Sequence, residues 1–294
     1  MFEGEGVSKI GLGCVTFGRE IDEQAAFRMM DYALSKGINF FDTAAAYGNG
    51  ASETIIGKWL HERSEEKKAV VVATKILPPF NAENIVRLVN ESLQRLKIET
   101  IDLLYLHRWD VTLEFPGSLQ AINDLVTAGK VQTLGSSNFT TKQLSNSLKH
   151  QNENNFTQFQ FVQNNHNLAV SDLSAEFKQL CNEHNINIIT YSPLGAGFLT
   201  GKHEKGVQAG SRFDLMPGHQ QVYFNEHAYK RLARLQQVAA QTGNTASHLA
   251  LAWALHQPGI KSVLIGGRTT PHIDQAIAAL AFNDKSILKK LEIN

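Results

Sequence analysis

The sequence predicts an α/β protein of the (β/α)8 TIM-barrel class. Three observations predict it. Eight short runs rich in β-branched residues are apolar on both faces, as strands of a covered parallel sheet are. Each is followed by a stretch whose apolar residues recur every three or four positions. The links between them are short, and alternation of this kind builds a parallel sheet wrapped in helices.

The elements follow in order. A strand around 10–13 precedes a helix over 23–35, opened by Asp22 as cap and stopped by Gly37. INFF (38–41) leads to a helix over 52–61, AVVVAT (69–74) to one over 81–96, and IDLLYL (101–106) to one over 117–128, which Gly129 ends. VQTLG (131–135) precedes 142–149, FQFVQ (159–163) precedes 172–182, and INIITY (186–191) is the seventh strand. Residues 195–225 then show little periodicity and are too long for an ordinary connection, so a long lid loop after strand 7 is expected. Helices over 226–241 and 245–256, the strand SVLI (262–265) and a helix over 271–281 complete the series. Without a linker or low-complexity stretch, residues 1–294 read as a single domain.

Composition narrows the function classes. Lys plus Arg and Asp plus Glu both number 28, so no net field draws the chain to nucleic acid or an acidic membrane. No apolar run approaches the ~20 residues of a membrane span. The opening MFEGEGVSKIG lacks a basic segment leading into an apolar one, so no secretory leader is expected. Cys14 and Cys181 lie too far apart in sequence to suggest a disulfide framework, which fits a reducing cytoplasm. The 11 histidines form no HxH or HExxH pattern, so no metal site is expected.

Chemistry is expected where barrel strands end. INFF runs into Asp42, VVVAT into Lys75 and IDLLYL into His107, from consecutive strands. VQTLG opens into Ser136, Ser137 and Asn138, FQFV ends on Gln163, and INIIT ends on Tyr191, Ser192 and Pro193. Tyr47, in DTAAAYG, follows Asp42 closely enough to fold over the barrel mouth. A carboxylate, an ammonium, a phenol and an imidazole together suit proton transfer. A free phenol, with a pKa of ~10, is a poor acid near neutrality. Lys75 is expected to lower it, Asp42 to hold Lys75, and His107 to orient a substrate oxygen. No GxSxG elbow is present, and a divalent metal would need more carboxylates or histidines on these strands.

GLGCVTFG, GINFFDTAAAYGNGASETIIGKWL, the strand-end Lys75, IDLLYLHRWD, GSSNF, the strand ending in Gln163 and YSPLGAGFLTGK together carry a family likeness. Over essentially its whole length the chain resembles the aldo-keto reductase superfamily, and within it the bacterial and potassium-channel-β-like branch. The resemblance implies a catalytic tetrad of Asp42, Tyr47, Lys75 and His107, with Tyr47 as acid in reduction and base in oxidation.

The chain lacks a GxGxxG fingerprint, since GLGCVT has no third glycine. The resemblance instead implies NADP(H), with NAD(H) as the alternative, extended across the barrel mouth. It assigns Ser137, Asn138 and Gln163 to the carboxamide and Tyr191 to the nicotinamide face. Ser192, Pro193 and Leu194 fall along the pyrophosphate, and Lys202 and Arg212 reach the phosphates. Gly13 and Cys14 fall among the cofactor positions, as do Gly266 and Arg268 near a ribose 2′-phosphate. His272 and Gln275 fall near the adenine. Departures occur at His272 and Ala276, where many members have Gln and Asn, and at His166, where Tyr is common.

For a small carbonyl or sugar substrate, Phe17, Phe80 and Trp109 are expected as walls, with Arg108 and Tyr47 as polar contacts. The competing reading is a regulatory subunit like the β subunits of voltage-gated potassium channels. It would call for an N-terminal extension or a docking surface, whereas this chain begins almost at its first strand.

Overall fold

A computed structural model describes residues 6–63 and 65–292. The absence of a leader, read from the first residues, lies largely outside that range, as do the ends of the domain 1–294.

Eight parallel strands close into a barrel in sequence order. They are β1 (Ile10–Gly13), β2 (Phe40–Asp42), β3 (Val71–Ile76), β4 (Ile101–Leu106), β5 (Val131–Ser137), β6 (Phe161–Asn165), β7 (Asn187–Tyr191) and β8 (Ile260–Gly266). Closure comes from β1 on β8, where Gly13 lies beside Gly266. Around the sheet lie α1 (Glu23–Ser35), α2 (Ala51–Glu62), α3 (Ala82–Leu96), α4 (Ser118–Thr127), α5 (Thr141–Glu153) and α6 (Ala175–Glu183). Short α7 (Arg212–Leu215) and α8 (Gln220–Tyr223) follow β7, then come α9 (Glu226–Thr242), α10 (Ala246–Leu255), α11 (Pro271–Leu280) and α12 (Lys285–Lys289).

Strand alternation divides the core. Phe40, Val71, Ala73, Leu103, Tyr105, Phe161, Ile189 and Leu264 fill one buried cluster, inside the barrel. Their neighbours along each strand, such as Phe41, Val72, Leu104 and Val162, join the larger cluster shared with the helices. The interior is so full that a Cβ at Gly135 would stand 2.5 Å from the Tyr105 ring.

Most expected elements are found within a few residues, and the differences have local causes. Asp22 caps α1 by accepting from Ala25 N, and Gly37 beyond its end takes φ +77°. Strand β3 continues to Ile76, so Lys75 lies within it rather than after it. Ser174 caps α6, which therefore starts three residues later than apolar spacing suggested. Asp284 caps α12, a helix too short for periodicity to reveal.

The segment after β7 corrects an expectation. It is no featureless loop, because it carries α7 and α8 and its own aromatic core. Phe198, Phe213 and Tyr223 are buried, with rings of Phe198 and Tyr223 stacked at 6.1 Å. Phe213 meets Phe224 at 4.9 Å, and Phe198 meets Tyr229 of α9 at 5.2 Å. Irregularly spaced single aromatics produce this cluster, and neither helical nor strand spacing registers it. No described helix is long and apolar enough to cross a membrane.

Candidate active site

The C-terminal ends of β2, β3 and β4 bring three of the four tetrad candidates together, and a turn brings the fourth. Strand β2 ends on Asp42. The chain turns back through Thr43 to Tyr47, with Ala45 N donating to Lys75 O at 3.0 Å. Gly48, Asn49 and Gly50 all take left-handed backbone, which lets the turn close tightly before α2 begins. His107 follows β4 and is anchored by its N–H to Ile76 O.

Lys75 Nζ is the hub of the cluster. It donates to Asp42 Oδ1 at 2.5 Å, to Thr43 O at 2.8 Å and to Tyr47 OH at 3.4 Å. Asp42 and Lys75 are both buried, and Gln163 Nε2 donates to the other Asp42 oxygen at 2.7 Å. The rings of Tyr47 and His107 meet edge to face, with centroids 5.9 Å apart.

The electrostatics follow from burial. Burial opposes the Lys75 charge, but Asp42 and then Tyr47 overcome it and hold the ammonium above the ordinary lysine value. Burial raises the Asp42 carboxyl, against the pull of Lys75 and Gln163. Burial also raises the Tyr47 phenol; Lys75 acts in the opposite direction without overcoming it. Lys75 therefore acts on Tyr47 in the expected direction, but in the protein alone desolvation outweighs it. Its ammonium limits a rise that desolvation causes. Burial, with Lys75 and Arg108, lowers His107 to about 3, so its imidazole is neutral at physiological pH.

The remaining candidates divide by place. Asn138 is exposed at the mouth, with Nδ2 donating to His107 O at 2.9 Å and to Ser137 Oγ at 3.0 Å. Tyr191 OH donates to Asn138 Oδ1 at 2.6 Å, which ties β7 to the residue after β5. Ser137 is buried and its hydroxyl is engaged by Gln163 O. Ser192 has φ +56°, and its carbonyl accepts from Asn167 Nδ2. Pro193 is buried, while Leu194 is half-buried. Lys202 is exposed beside Gly197, whose added Cβ would lie 3.3 Å from Lys202 Nζ. Arg212 opens α7, half-buried, and its charge is felt at Tyr47. Arg268 Nη2 donates to Gly210 O at 3.0 Å, joining the loop after β8 to the segment after β7. Gly13 and Gly266 face each other across the β1–β8 seam. His272 and Gln275 are exposed on α11, where Ala276 is buried.

Three expectations do not survive. Phe17 and Phe80 have no exposed surface, so they pack in the core and form no wall that a ligand could touch. Cys14 is equally buried, leaving only structural contacts. Arg108 is exposed and Trp109 half-buried, so both remain at the mouth.

Sequence reading missed a polar set behind the mouth. Asn165 Nδ2 donates to Tyr223 OH at 3.1 Å, and Asn167 Nδ2 reaches the same oxygen at 3.4 Å. The buried end of β6 and the residues just after it thereby hold α8. The signal available in the sequence was the dense NNHN run at 164–167. Among the described residues, no three His, Cys, Asp or Glu side chains gather to hold a metal ion.

Comparison with known proteins agrees with this arrangement. The model of the Aldo/keto reductase family matches residues 9–290. An uncharacterized oxidoreductase, YrpG, of Bacillus subtilis is 32% identical, across 97% of this chain and 91% of its own length. A probable aldo-keto reductase 1 of Glycine max is 33% identical over 95% of this chain and 82% of its own. A probable voltage-gated potassium channel subunit beta of Arabidopsis thaliana is 28% identical over 93% and 88%.

Proposed function

The chain belongs to the aldo/keto reductase family, and from that premise we propose that it is an NADP(H)-dependent reductase of small aldehydes, ketones or sugar-like carbonyls, acting as one domain in the cytoplasm. The observation that carries this reading is Lys75 Nζ in contact with both Asp42 and Tyr47 OH, with the His107 ring against Tyr47.

The donors at the mouth fit a phosphorylated dinucleotide. Lys202 and Arg268 are exposed there, and among the described residues neither has a carboxylate within 4.0 Å. Arg268, with Arg212 nearby, offers the planar fork that suits a 2′-phosphate. Asn138, its amide held by Tyr191, His107 and Ser137, is the residue assigned to the carboxamide. A bound nicotinamide would supply or accept the hydride.

Tyr47, kept protonated by its burial, gives its phenolic proton to the substrate oxygen in reduction. Lys75 stabilises the phenolate that remains, and Asp42 and Gln163 keep that ammonium in place. The neutral His107 has one N–H to donate to the same oxygen, a charge-stabilising contact in a partly desolvated site. Trp109 and Arg108 border the substrate space.

The test joins NADPH fluorescence titration with loss of reduced-nicotinamide absorbance over a panel of aldoses and aryl aldehydes. Tyr47→Phe is expected to abolish turnover and leave NADPH affinity nearly intact; retained turnover would rule out Tyr47 as the acid. NADPH bound but oxidised by no member of the panel would favour a binding subunit, as the names of the potassium-channel relatives suggest.

A further inference from the structure

A second buried polar set lies directly behind the tetrad, in the first turn of α2. Ser52 and Glu53 have no exposed surface. Ser52 Oγ donates to Cys14 O at 2.9 Å and shares a 2.7 Å hydrogen bond with Thr43 Oγ1. Glu53 Oε1 accepts from Thr74 Oγ1 at 2.5 Å, and Oε2 accepts from Arg95 Nε at 2.6 Å.

Each partner is one step from the tetrad. Cys14 N donates to Asp42 O at 2.8 Å. Thr43 O is an acceptor of Lys75 Nζ, and Thr74 precedes Lys75 in β3. Helix α2 itself begins where the turn bearing Tyr47 ends, and Arg95 packs under that turn. A Cβ at Gly50 would lie 2.7 Å from Arg95 Cδ.

A fully buried carboxylate paired with a partly exposed guanidinium is a poor device for stability alone, because desolvation of Glu53 offsets much of the attraction and an apolar filler would join α2 to α3 as well. Hydrogen bonds, unlike apolar packing, fix direction. We propose that Ser52, Glu53, Thr74 and Arg95 form a positioning clamp that sets the separation between Lys75 Nζ and Tyr47 OH. That separation, 3.4 Å, is at the long end of hydrogen-bond reach, so a shift of a few tenths of an ångström breaks the contact. Loosening the clamp weakens the Lys75 influence on Tyr47, and its phenol becomes a weaker acid. The inference rests on the reading of Tyr47 as the proton donor.

The experiment compares Glu53→Gln, Thr74→Val and Thr74→Ser with Asp31→Asn. The last is a control that loosens the opposite side of α2 by removing the charge and one of the two acceptor oxygens that hold Trp59 Nε1 and Arg63. Chains labelled at tyrosine 13Cζ give six resonances, one per tyrosine, and the one lost in Tyr47→Phe identifies Tyr47. That resonance is expected to move in Glu53→Gln and Thr74→Val, to stay in Asp31→Asn and to return in Thr74→Ser. With NADPH and 4-nitrobenzaldehyde, kcat should fall about tenfold in the two clamp variants, and KM and NADPH Kd should change little. The alkaline limb of the kcat profile should move with the resonance. An unmoved Tyr47 resonance in folded Thr74→Val, or an equal movement in Asp31→Asn, would overturn the clamp. Failure of the unmodified protein to oxidise NADPH would instead overturn the functional reading, and the resonance would still report on the clamp.

Discussion

Gln163 Nε2 and Asp42 Oδ2 are joined by a 2.7 Å hydrogen bond across the barrel, between residues 121 positions apart. The Asp42 carboxylate thus has a partner on each oxygen, Lys75 on one and Gln163 on the other. Gln163→Leu leaves one oxygen of a buried carboxylate unpaired, a loss of about 1.5–3 kcal/mol for a bond to a charged group. The expected result is a lower Tm together with a kcat reduced by more than about tenfold. An unchanged kcat with weaker NADPH binding would show that the amide serves the cofactor and leaves Asp42 alone.

Acid should destabilise the fold through two desolvated imidazoles, the buried His166 and the half-buried His107. Burial, with Lys178 beyond it, lowers His166 to about 4, and His107 lies at about 3. Both are below the ordinary 6.5, so as pH falls the unfolded chain takes up protons before the folded one. Their contribution is complete above about pH 6.5 and is lost as pH falls toward 4 and then 3. His166 packs on Trp253 with centroids 5.1 Å apart, and His166→Tyr keeps an aromatic ring there while removing the titration. The Tm difference between pH 7.5 and pH 4.5 is expected to shrink in that variant, and an undiminished difference would contradict it. The same value for His107 predicts no limb near pH 6.5 in the kcat profile.

Tyr223 carries the bond between the segment after β7 and the end of β6. Tyr223→Phe removes the hydroxyl shared by Asn165 and Asn167 and leaves buried amides short of a partner. A loss of about 1–3 kcal/mol is expected from urea unfolding. Because Asn167 also holds Ser192 O, NADPH should dissociate faster, measured by stopped-flow fluorescence. Unchanged dissociation would confine the contact to stability.

Gly57 is where α2 and α3 touch. A Cβ there would overlap the Arg95 carbonyl oxygen and lie 2.7 Å from the Leu96 carbonyl carbon. These are backbone atoms that cannot swing aside, so Gly57→Ala should cost about 3 kcal/mol or more, read from the urea midpoint. A midpoint close to that of the unmodified chain would mean that the two helices separate easily.

Much of this molecule was legible in one dimension. Runs such as IDLLYL mark their strand because both faces are buried, and Asp22 and Gly37 mark helix ends through groups they cap or φ values they permit. Asp42, Tyr47, Lys75 and His107 were legible for a related reason. Parallel strands in sequence order must bring their ends to one rim, so polar residues ending consecutive strands become neighbours.

Properties that depend on many partners at once were decided only by the tertiary structure. Whether Phe17 and Phe80 face a ligand or the core depends on how helices settle over the sheet, and both went to the core. The direction of the Tyr47 shift is a balance between desolvation and Lys75, and only the actual burial decides it. The aromatic core after β7 and the Ser52–Glu53 contacts join residues with no shared period. Local spacing reports the face a residue shows to its own element, whereas these contacts depend on which other element arrives there.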